Sequence, residues 1–138
     1  MTTNSERTEI YRKRSSGDEK IAFIDADGLI QRLRWNEGIP IGRVERRDAL
    51  YRIWRTTRYD EKEVGTVTEN GLIRSHGLFE GGELGWLEAD GVVIQGGLIL
   101  EEEEVGRVAG PQRQAAAAAL LLIFLPEEEE ASREMRRR

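Results

Sequence analysis

Cysteine is absent from the sequence, and histidine and aromatic residues are scarce. Without cysteine, disulfide bonds, thiol catalysis and zinc–thiolate sites are excluded. The one histidine, His76, follows Ser75; neighbouring residues of a strand point to opposite faces, so the two do not form a nucleophile–base pair. The acidic residues lack the ligand spacing of a metal site, and the glycine-rich turns lack phosphate-loop and dinucleotide spacings. We therefore expect no catalytic residue, no metal and no cofactor, and predict that the chain is not an enzyme.

An excess of positive charge is also missing. The 138 residues include 26 acidic and 21 basic side chains, interspersed along the chain, and the net charge is −5. Recognition of nucleic acid requires a basic face, so we expect no nucleic-acid partner. Residues 1–20 are polar and short of apolar side chains; they resemble no secretory signal and are predicted to be disordered. We expect one domain in the cytoplasm, with association with a membrane as the alternative.

One long apolar run, Ala115 to Leu125, stands out against this charged background. Alanine and leucine favour helix, and Pro111 and Pro126 suit its first residue and its end, which predicts a helix over 111–125. Such a helix is about 22 Å long, too short for a membrane core of ~30 Å. Because it is apolar on every side, we favour a buried core helix over a membrane-inserted anchor. Its large side chains, whose burial is worth on the order of 10 kcal/mol, are Leu120, Leu121, Leu122, Ile123, Phe124 and Leu125.

Two short motifs recur four times before this run. The first is a turn followed by apolar residues: Asp27-Gly28-Leu29-Ile30, Asp48-Ala49-Leu50-Tyr51, Asn70-Gly71-Leu72-Ile73 and Asp90-Gly91-Val92-Val93. The second places glycine among apolar residues: Ile41-Gly42-Arg43-Val44, Val64-Gly65-Thr66-Val67, Leu84-Gly85-Trp86-Leu87 and Val105-Gly106-Arg107-Val108. The glycines of the second motif are 23, 20 and 21 residues apart (65−42, 85−65, 106−85). Two motifs that keep one spacing over four copies predict a four-fold structural repeat.

Each repeat combines residues that favour turns with residues that favour strands. Asp-Gly and Asn-Gly favour tight turns because glycine tolerates positive φ; Ala49 in place of glycine predicts a turn of a different type or a slightly strained one. We predict strands at 29–35, 50–54, 72–73 and 92–94, with looser turns at 36–38, 59–62, 80–82 and 101–104. The predicted fold is mainly β: a four-fold-repeat antiparallel β-barrel, with one hydrophobic C-terminal helix packed in or across it.

The glycines inside the strands need a physical reason, because glycine weakens the interior of a strand. One explanation is close approach of a central object, which the apolar helix supplies. The other explanation is that the glycines form β-bulges, and the sequence leaves both open. The structural glycines of the repeat are Gly42, Gly65, Gly85 and Gly106.

With these two motifs, residues 21–110 resemble the four-fold β-flower proteins, shallow symmetric β-barrels built from short DG…GRV-like repeats. The resemblance implies a barrel with a hydrophobic channel. It also implies a distant likeness to the Tubby C-terminal and phospholipid-scramblase barrels, in which a hydrophobic helix threads the lumen. It brings no catalytic residues with it. The positions that depart from the commonest pattern are Ala49, Thr66, Trp86 and Leu87.

Other conspicuous residues are interpreted as structural. Arg43 and Arg107 hold equivalent positions in the repeat and suggest a symmetric anion-binding ring. Thr66 and Trp86 hold the other two positions and interrupt it. The tryptophans are interpreted as core or rim packing rather than as a stack around a ligand. They are Trp35, Trp54 and Trp86.

The predicted organisation is a disordered segment (1–20), a barrel with its central helix (21–126) and a charged C-terminal tail (127–138). The acidic start and basic end of the tail suit a short helix. The leading hypothesis is a non-enzymatic binding or scaffolding module of unknown ligand. The alternative is a membrane-proximal lipid-binding module, in which the helix leaves the barrel and Arg136 to Arg138 contact anionic headgroups. The partner remains open: membrane lipid, another protein or, through open sheet edges, a second copy of the chain.

Overall fold

A computed structural model describes residues 6–76, 82–96 and 101–137. Its strands are β1 (Thr8–Arg14), β2 (Gly17–Ile24), β3 (Leu29–Arg34), β4 (Glu37–Arg47), β5 (Leu50–Thr56), β6 (Glu61–Thr68), β7 (Leu72–Ser75), β8 (Gly82–Leu87), β9 (Val92–Gln95) and β10 (Glu103–Ala109). They form one closed antiparallel barrel, in which β1 completes the ring against β10, and a C-terminal helix follows. The prediction of a mainly-β antiparallel barrel with one C-terminal helix is confirmed. Each of these strands is paired on both sides, so the described strands offer no open edge to a second copy.

The ten strands form five consecutive hairpins, so the barrel has two different ends. Hairpin turns at 15–16, 35–36 and 57–60 lie at one end, here called the turn end. The segments that join one hairpin to the next, such as 25–28 and 88–91, lie at the opposite end, here called the loop end. Segments 77–81 and 97–100 are outside the described residues, and so is part of the turn predicted at 80–82.

The first hairpin occupies residues that the sequence analysis assigned to a disordered segment, and that prediction is wrong from Thr8 onward. In β1, Thr8 and Ile10 are both 0% exposed, because alternate residues of a strand point to the same face. The backbone of β1 pairs with β2 on one side and β10 on the other. Two inward side chains and two paired neighbours therefore order a segment whose composition is mostly polar.

Each hairpin carries a register shift at an equivalent place in its second strand. In β4, for example, the shift leaves Ile41 without a cross-strand partner in β3. This is a β-bulge, which adds one residue to one strand of a pair. The described part of the chain therefore holds five bulged hairpins, and the four-fold count of the repeat is not confirmed. A small residue follows the bulge each time: Ala22, Gly42, Gly65, Gly85 and Gly106.

The core contains one ring of large aliphatic side chains from the odd-numbered strands. Each pairs across the hairpin with the small residue that follows the bulge, so large and small residues alternate around the ring. Residues Ala115–Leu125 are 0–8% exposed and belong to the same cluster of buried hydrophobic residues. The ring residues, all 0% exposed, are Ile10, Ile30, Ile53, Ile73 and Val93.

Three of the strand glycines lie against leucines of this buried segment. A Cβ on them would lie 2.7–2.9 Å from a leucine Cδ atom, in the pairs Gly65–Leu122, Gly85–Leu121 and Gly106–Leu120. Each added Cβ would also clash with a carbonyl oxygen of the neighbouring strand. The nearest atoms to a Cβ on Gly42 belong instead to β5. At these three positions both explanations for the glycines therefore hold: each glycine follows a β-bulge and also permits close approach of the apolar segment.

The C-terminal helix continues past Pro126, where it was predicted to end. It runs from α1 (Arg113–Ala119) through a π-helical turn (Leu120–Phe124) into α2 (Leu125–Arg137). The Leu125 N–H donates to the Leu120 carbonyl, five residues back. A proline ring crowds the carbonyl four residues before it and brings no N–H, and the wider π turn just before Pro126 relieves both conflicts. The predicted boundary between barrel and tail therefore falls inside one helix.

Within the described residues, no helix combines the length and the hydropathy that a membrane span requires.

The turn that contains Ala49 differs from its counterparts, as predicted. Gly28, Gly71 and Gly91 have φ of 87°, 91° and 95°. In the β4–β5 connection the positive φ falls on Asp48, at 58°. Aspartate tolerates this left-handed conformation better than alanine, so the turn moves its positive φ to the residue before Ala49.

Candidate functional site at the turn end

At the loop end, hydrogen bonds hold the start of α1 to several parts of the barrel. The Gln112 N–H donates to Thr8 Oγ1 at 2.8 Å, and the Gln112 side chain donates to the Asp25 carbonyl at 2.8 Å. The side chains of Arg113 and Gln114 each donate to a backbone carbonyl of another loop. The polar groups on this side of the helix are thus occupied by the protein itself, which indicates a structural role for the loop end.

At the turn end, α2 begins beside a group of arginines. In each odd-numbered strand, the residue two positions after the ring residue points to the same face as the ring residue. In β1, β3 and β5 this residue is an arginine, whereas β7 and β9 have Ser75 and Gln95. These arginines, with one more at the end of β1, are called the arginine rim: Arg12, Arg14, Arg32 and Arg55.

Two glutamates of α2 form ion pairs with all four arginines of the arginine rim. The glutamate side chains are 22% and 34% exposed, so each of these pairs is worth up to about 1 kcal/mol and is weakened by salt. Every residue from Glu129 to Arg137 is exposed, and the ion pairs between α2 and the strands among the described residues are made by Glu127 and Glu128. The ion pairs are Glu127 with Arg32 and with Arg55 (2.6 Å), and Glu128 with Arg12 (3.1 Å) and with Arg14 (3.2 Å).

Two surface cavities border the arginine rim. One, of about 240 Å³, lies between α2 and β9, with Gln95, Glu129 and Arg136 in its wall. The other, of about 500 Å³, lies between the end of β1 and the start of β10, with Lys13 and Glu103 in its wall. Both are lined by charges of opposite sign, which cancel much of each other's field, so neither selects strongly for anions or cations.

The β3–β4 turn presents Trp35 to solvent. Trp35 and Asn36 have φ of 54° and 68°, the pattern of a two-residue type I′ turn. Asparagine and glycine are favoured at both central positions of such a turn, and a bulky residue there is strained. Trp35 is 90% exposed, so the fold gains almost no burial from this side chain.

A second exposed aromatic, Tyr59, lies in the β5–β6 turn. It is 89% exposed. The turn is held by Thr57 and Asp60: the Thr57 N–H donates to the Asp60 carbonyl at 2.7 Å, and the two side chains hydrogen-bond at 2.7 Å. The turn is therefore ordered by its polar residues, while the tyrosine ring projects outward.

The other tryptophans and the repeated arginines are engaged on the barrel's outer wall. Trp54 and Trp86 donate their ring N–H to carboxylates of Glu45 and Glu88, at 3.1 and 3.0 Å. The repeated arginines each combine an aromatic face with a carboxylate, which leaves no shared anion ring. These contacts are Arg43 over Trp54 and beside Glu61, and Arg107 over Tyr11 and beside Asp18.

His76 lies beside the carboxylate of Glu63. Its Nε2 is 2.6 Å from Glu63 Oε2, and Glu63 also pairs with Arg52 at 3.4 Å. The histidine side chain is 47% exposed. In the described part of the chain, no group of three or more His, Asp or Glu side chains is arranged to hold a metal ion.

The outer wall near β1 shifts the pKa of two side chains. The hydrogen bond from Lys20, at 2.7 Å, lowers the pKa of Glu9 below its usual 4.5, against an opposing effect of partial burial. Partial burial, aided by the hydrogen bond from its hydroxyl to Glu9, raises the pKa of Tyr11. These shifts arise from a stabilising surface contact away from the turns.

The arginine rim was not predicted from the sequence, and the interpretation of Trp35 as core or rim packing is wrong, because its side chain is 90% exposed. The rim was not predicted because Arg12 was placed in a disordered segment, and because the distances of Arg32 and Arg55 from the first motif differ by two residues. A usable signal exists for Trp35: Arg34-Trp35-Asn36-Glu37 lacks any apolar residue that would pair with the ring in a core, and Trp-Asn at the centre of a two-residue turn forces the ring outward.

No family model, no curated protein and no solved structure matches the chain, so its function has to be argued from the geometry of the site.

Proposed function

We propose that this chain is a non-enzymatic β-barrel binding module, in which the C-terminal helix fills the lumen and the ligand binds outside, at the turn end. One observation carries the proposal: residues Ala115–Leu125 are 0–8% exposed within the cluster that contains the inward ring. A barrel of about eight strands has an interior just wide enough for side chains or one small ligand, and the diameter grows with strand number, so ten strands leave room for the helix. An interior occupied by its own helix leaves the outer surface for binding.

The proposal that the module is non-enzymatic is supported by the hydrogen bonds and ion pairs that its polar side chains form within the protein. Each of five polar side chains on the outer wall has a carboxylate neighbour, and the start of α1 is bonded to backbone carbonyls. The five are Trp54, Trp86, Arg43, Arg107 and His76. An active site needs a nucleophile or a base with a free position for substrate beside it. The polar side chains described above instead bind other groups of the protein, which leaves no such free position beside them.

The likeness to β-flower barrels is part of the same proposal. It is supported by the small antiparallel barrel, by glycines at inward positions, and by leucines 2.7–2.9 Å from where their Cβ atoms would lie. The five hairpins of this chain exceed the four units of that family by one. The extra unit is the first hairpin, where Ala22 takes the place of the repeated glycine.

A filled lumen is tested with benzene as a probe, read as a shift in the thermal midpoint of the full chain. We expect no saturable shift for the natural sequence. The matched variant Leu121→Ala leaves a void beside Gly85, and apolar voids of this kind stay dry and accept small aromatic molecules. Benzene is expected to stabilise that variant. Saturable stabilisation of the natural sequence to the same degree would show that the lumen is open, and the proposal would fail.

A second candidate function is contact with a phospholipid surface, and the exposure of Trp35 and Tyr59 favours it. In this version the helix stays in the barrel. Withdrawal of its six large apolar side chains would cost on the order of 10 kcal/mol, comparable with the whole stability of a domain. Contact through projecting turns avoids that cost.

A further inference from the structure

We propose that the turn end docks on a phospholipid surface, with Trp35 and Tyr59 seated at the level of the headgroups and Arg34 and Arg58 beside the lipid phosphates. This inference rests on the proposed function, because it assigns a ligand to the outside of a barrel whose lumen is filled. It requires no movement of the helix and uses only described residues.

The topology places both aromatic residues at the same end. β3 and β5 run from the loop end to the turn end, and both turns follow within a few residues of the arginine rim. The β3–β4 and β5–β6 hairpins are neighbours, so two strand spacings, about 10 Å, separate their turns along the wall. Two projecting rings at this distance contact one flat surface together.

The conformation of Trp35 indicates selection for something other than stability. A tryptophan with φ of 54° is strained, and at 90% exposure it gains nothing from burial. Asparagine at the same position would relieve the strain. Strain kept at an exposed turn is typical of a residue that contacts a ligand.

Each exposed aromatic follows an exposed arginine: Arg34 precedes Trp35, and Arg58 precedes Tyr59. Neither arginine forms an ion pair with any residue that the structure describes, unlike the arginine rim beneath them. An amphipathic ring at headgroup depth beside a guanidinium that binds phosphate is the combination that membrane interfaces favour.

The end of α2 brings further arginines to the same side. From Glu128 to Arg137 the helix rises about 14 Å, whereas the tilted strand from Arg32 to Trp35 rises about 8 Å. Arg133, Arg136 and Arg137 are exposed in this last stretch, together with Glu129, Glu130 and Glu134, so it offers guanidinium groups without a net positive charge. The first acidic residues of the helix, by contrast, are held by the arginine rim.

A lipid surface fits these features better than a nucleic acid or a second copy of the chain. Nucleic acid requires a continuous basic face, whereas the turns offer two separate arginines, each beside an exposed ring. A stable protein interface buries about 800 Å² on each partner around an apolar centre, which two separate turns do not supply. Isolated projecting rings suit a soft interface that closes around each of them.

The test is co-sedimentation of the full chain with vesicles of phosphatidylcholine and phosphatidylglycerol. The double variant Trp35→Asn with Tyr59→Ser is expected to reduce the partition coefficient about tenfold or more, because most of the buried ring area is lost. The matched control Leu29→Thr removes an exposed apolar side chain at the loop end, 37% exposed, and is expected to leave partitioning unchanged.

The arginines are tested separately with Arg34→Gln and Arg58→Gln. Each is expected to lower binding to the anionic vesicles about fivefold at low salt, and to have less effect on vesicles of phosphatidylcholine alone. Circular dichroism and the thermal midpoint verify folding of every variant. Trp35→Asn is expected to raise the midpoint, so a loss of binding there does not reflect unfolding.

Three results would overturn the inference: no sedimentation of the natural sequence, equal sedimentation of the double variant, or preferential binding of a single-stranded oligonucleotide. A concentration-dependent dimer that the double variant abolishes, with no vesicle binding, would assign the turns to self-association and would also overturn it. The benzene experiment is independent of all four results, so failure of the docking site is distinguishable from failure of the filled-lumen proposal.

Discussion

The two ends of the barrel hold the C-terminal helix by different physics. At the loop end, buried or backbone groups bond the helix start: Thr8 is 0% exposed and accepts the Gln112 N–H. At the turn end, partly exposed ion pairs join Glu127 and Glu128 to the arginine rim. A hydrogen bond between uncharged groups is little affected by salt and is costly to break where one partner is buried, whereas partly exposed ion pairs are weak and screened. The loop end is thus built for stability, and the turn end is free to carry exposed aromatic rings.

The largest expected effect concerns glycines with positive φ at the two ends. Gly110, with φ of 139°, precedes the helix at the loop end, and a Cβ there would lie 2.6 Å from Thr8 Cα. Gly110→Ala is expected to lower the free energy of unfolding by about 3 kcal/mol or more. The control Gly17→Ala, at the turn end, has φ of 123° but no atom within 4 Å of the added Cβ, and should cost about 1–2 kcal/mol. Equal losses in urea unfolding would contradict the difference between the ends.

The next effect is the loss of a buried acceptor. Thr8→Val keeps the shape of the side chain but leaves the Gln112 N–H without its partner, and should cost about 1–2 kcal/mol. Thr57→Val removes a hydroxyl of the exposed β5–β6 turn and should cost less than about 1 kcal/mol. Thermal unfolding of both variants at equal concentration gives the comparison; a larger loss for Thr57→Val would reverse it.

At the turn end, Glu127→Gln should lower stability by about 1 kcal/mol in low salt, because contacts with Arg32 and Arg55 lose their charge. The loss should shrink at high ionic strength. Hydrogen exchange of the α2 amides should quicken. Glu130→Gln, at an exposed position with no ion pair among the described residues, serves as the control. A loss independent of salt would mean that α2 is held by something other than ion pairs.

Unlike the substitutions above, Trp35→Asn is expected to raise the free energy of unfolding, by about 0.5–1 kcal/mol, because asparagine tolerates positive φ. Denaturant titration of this variant and of the natural sequence measures the difference. Destabilisation would show that the ring supports the fold, and would remove the argument that strain is kept for a ligand.

The smallest effect lies on the wall between the two ends. The pKa of Glu9 is lowered by Lys20, so its contribution to stability is present above about pH 4.5 and is lost as the pH falls through the lowered folded-state pKa. Lys20→Met should return the pKa of Glu9 towards its usual value and reduce stability by about 0.5 kcal/mol or less above that pH. A carbon-detected NMR titration of the Glu9 carboxyl measures the shift; an unchanged pKa would show that Lys20 is not its cause.

Much of the fold follows from local chemistry. The recurring Asp-Gly and Asn-Gly turns and the apolar residues after them are enough to predict the strands of the last four hairpins. The first hairpin was not predicted because it has Ala22 in place of glycine and because its first strand is rich in charged residues. A strand that closes a barrel is ordered by backbone hydrogen bonds to both neighbouring strands, and a local sequence pattern does not identify those strands. The same holds for the arginine rim, whose members come from three separate hairpins.

The sequence by itself determined the antiparallel hairpins, the turn at Ala49 and the need to bury Ala115–Leu125, because turn preferences and hydrophobicity act over a few residues. Only the tertiary structure decided that β1 meets β10, that a π turn carries the helix past Pro126, and that Glu127 and Glu128 lie among rim arginines. It also decided which of three tryptophans remains exposed. These outcomes depend on which distant backbones and charges come together when the barrel closes, and that closure is a property of the whole chain.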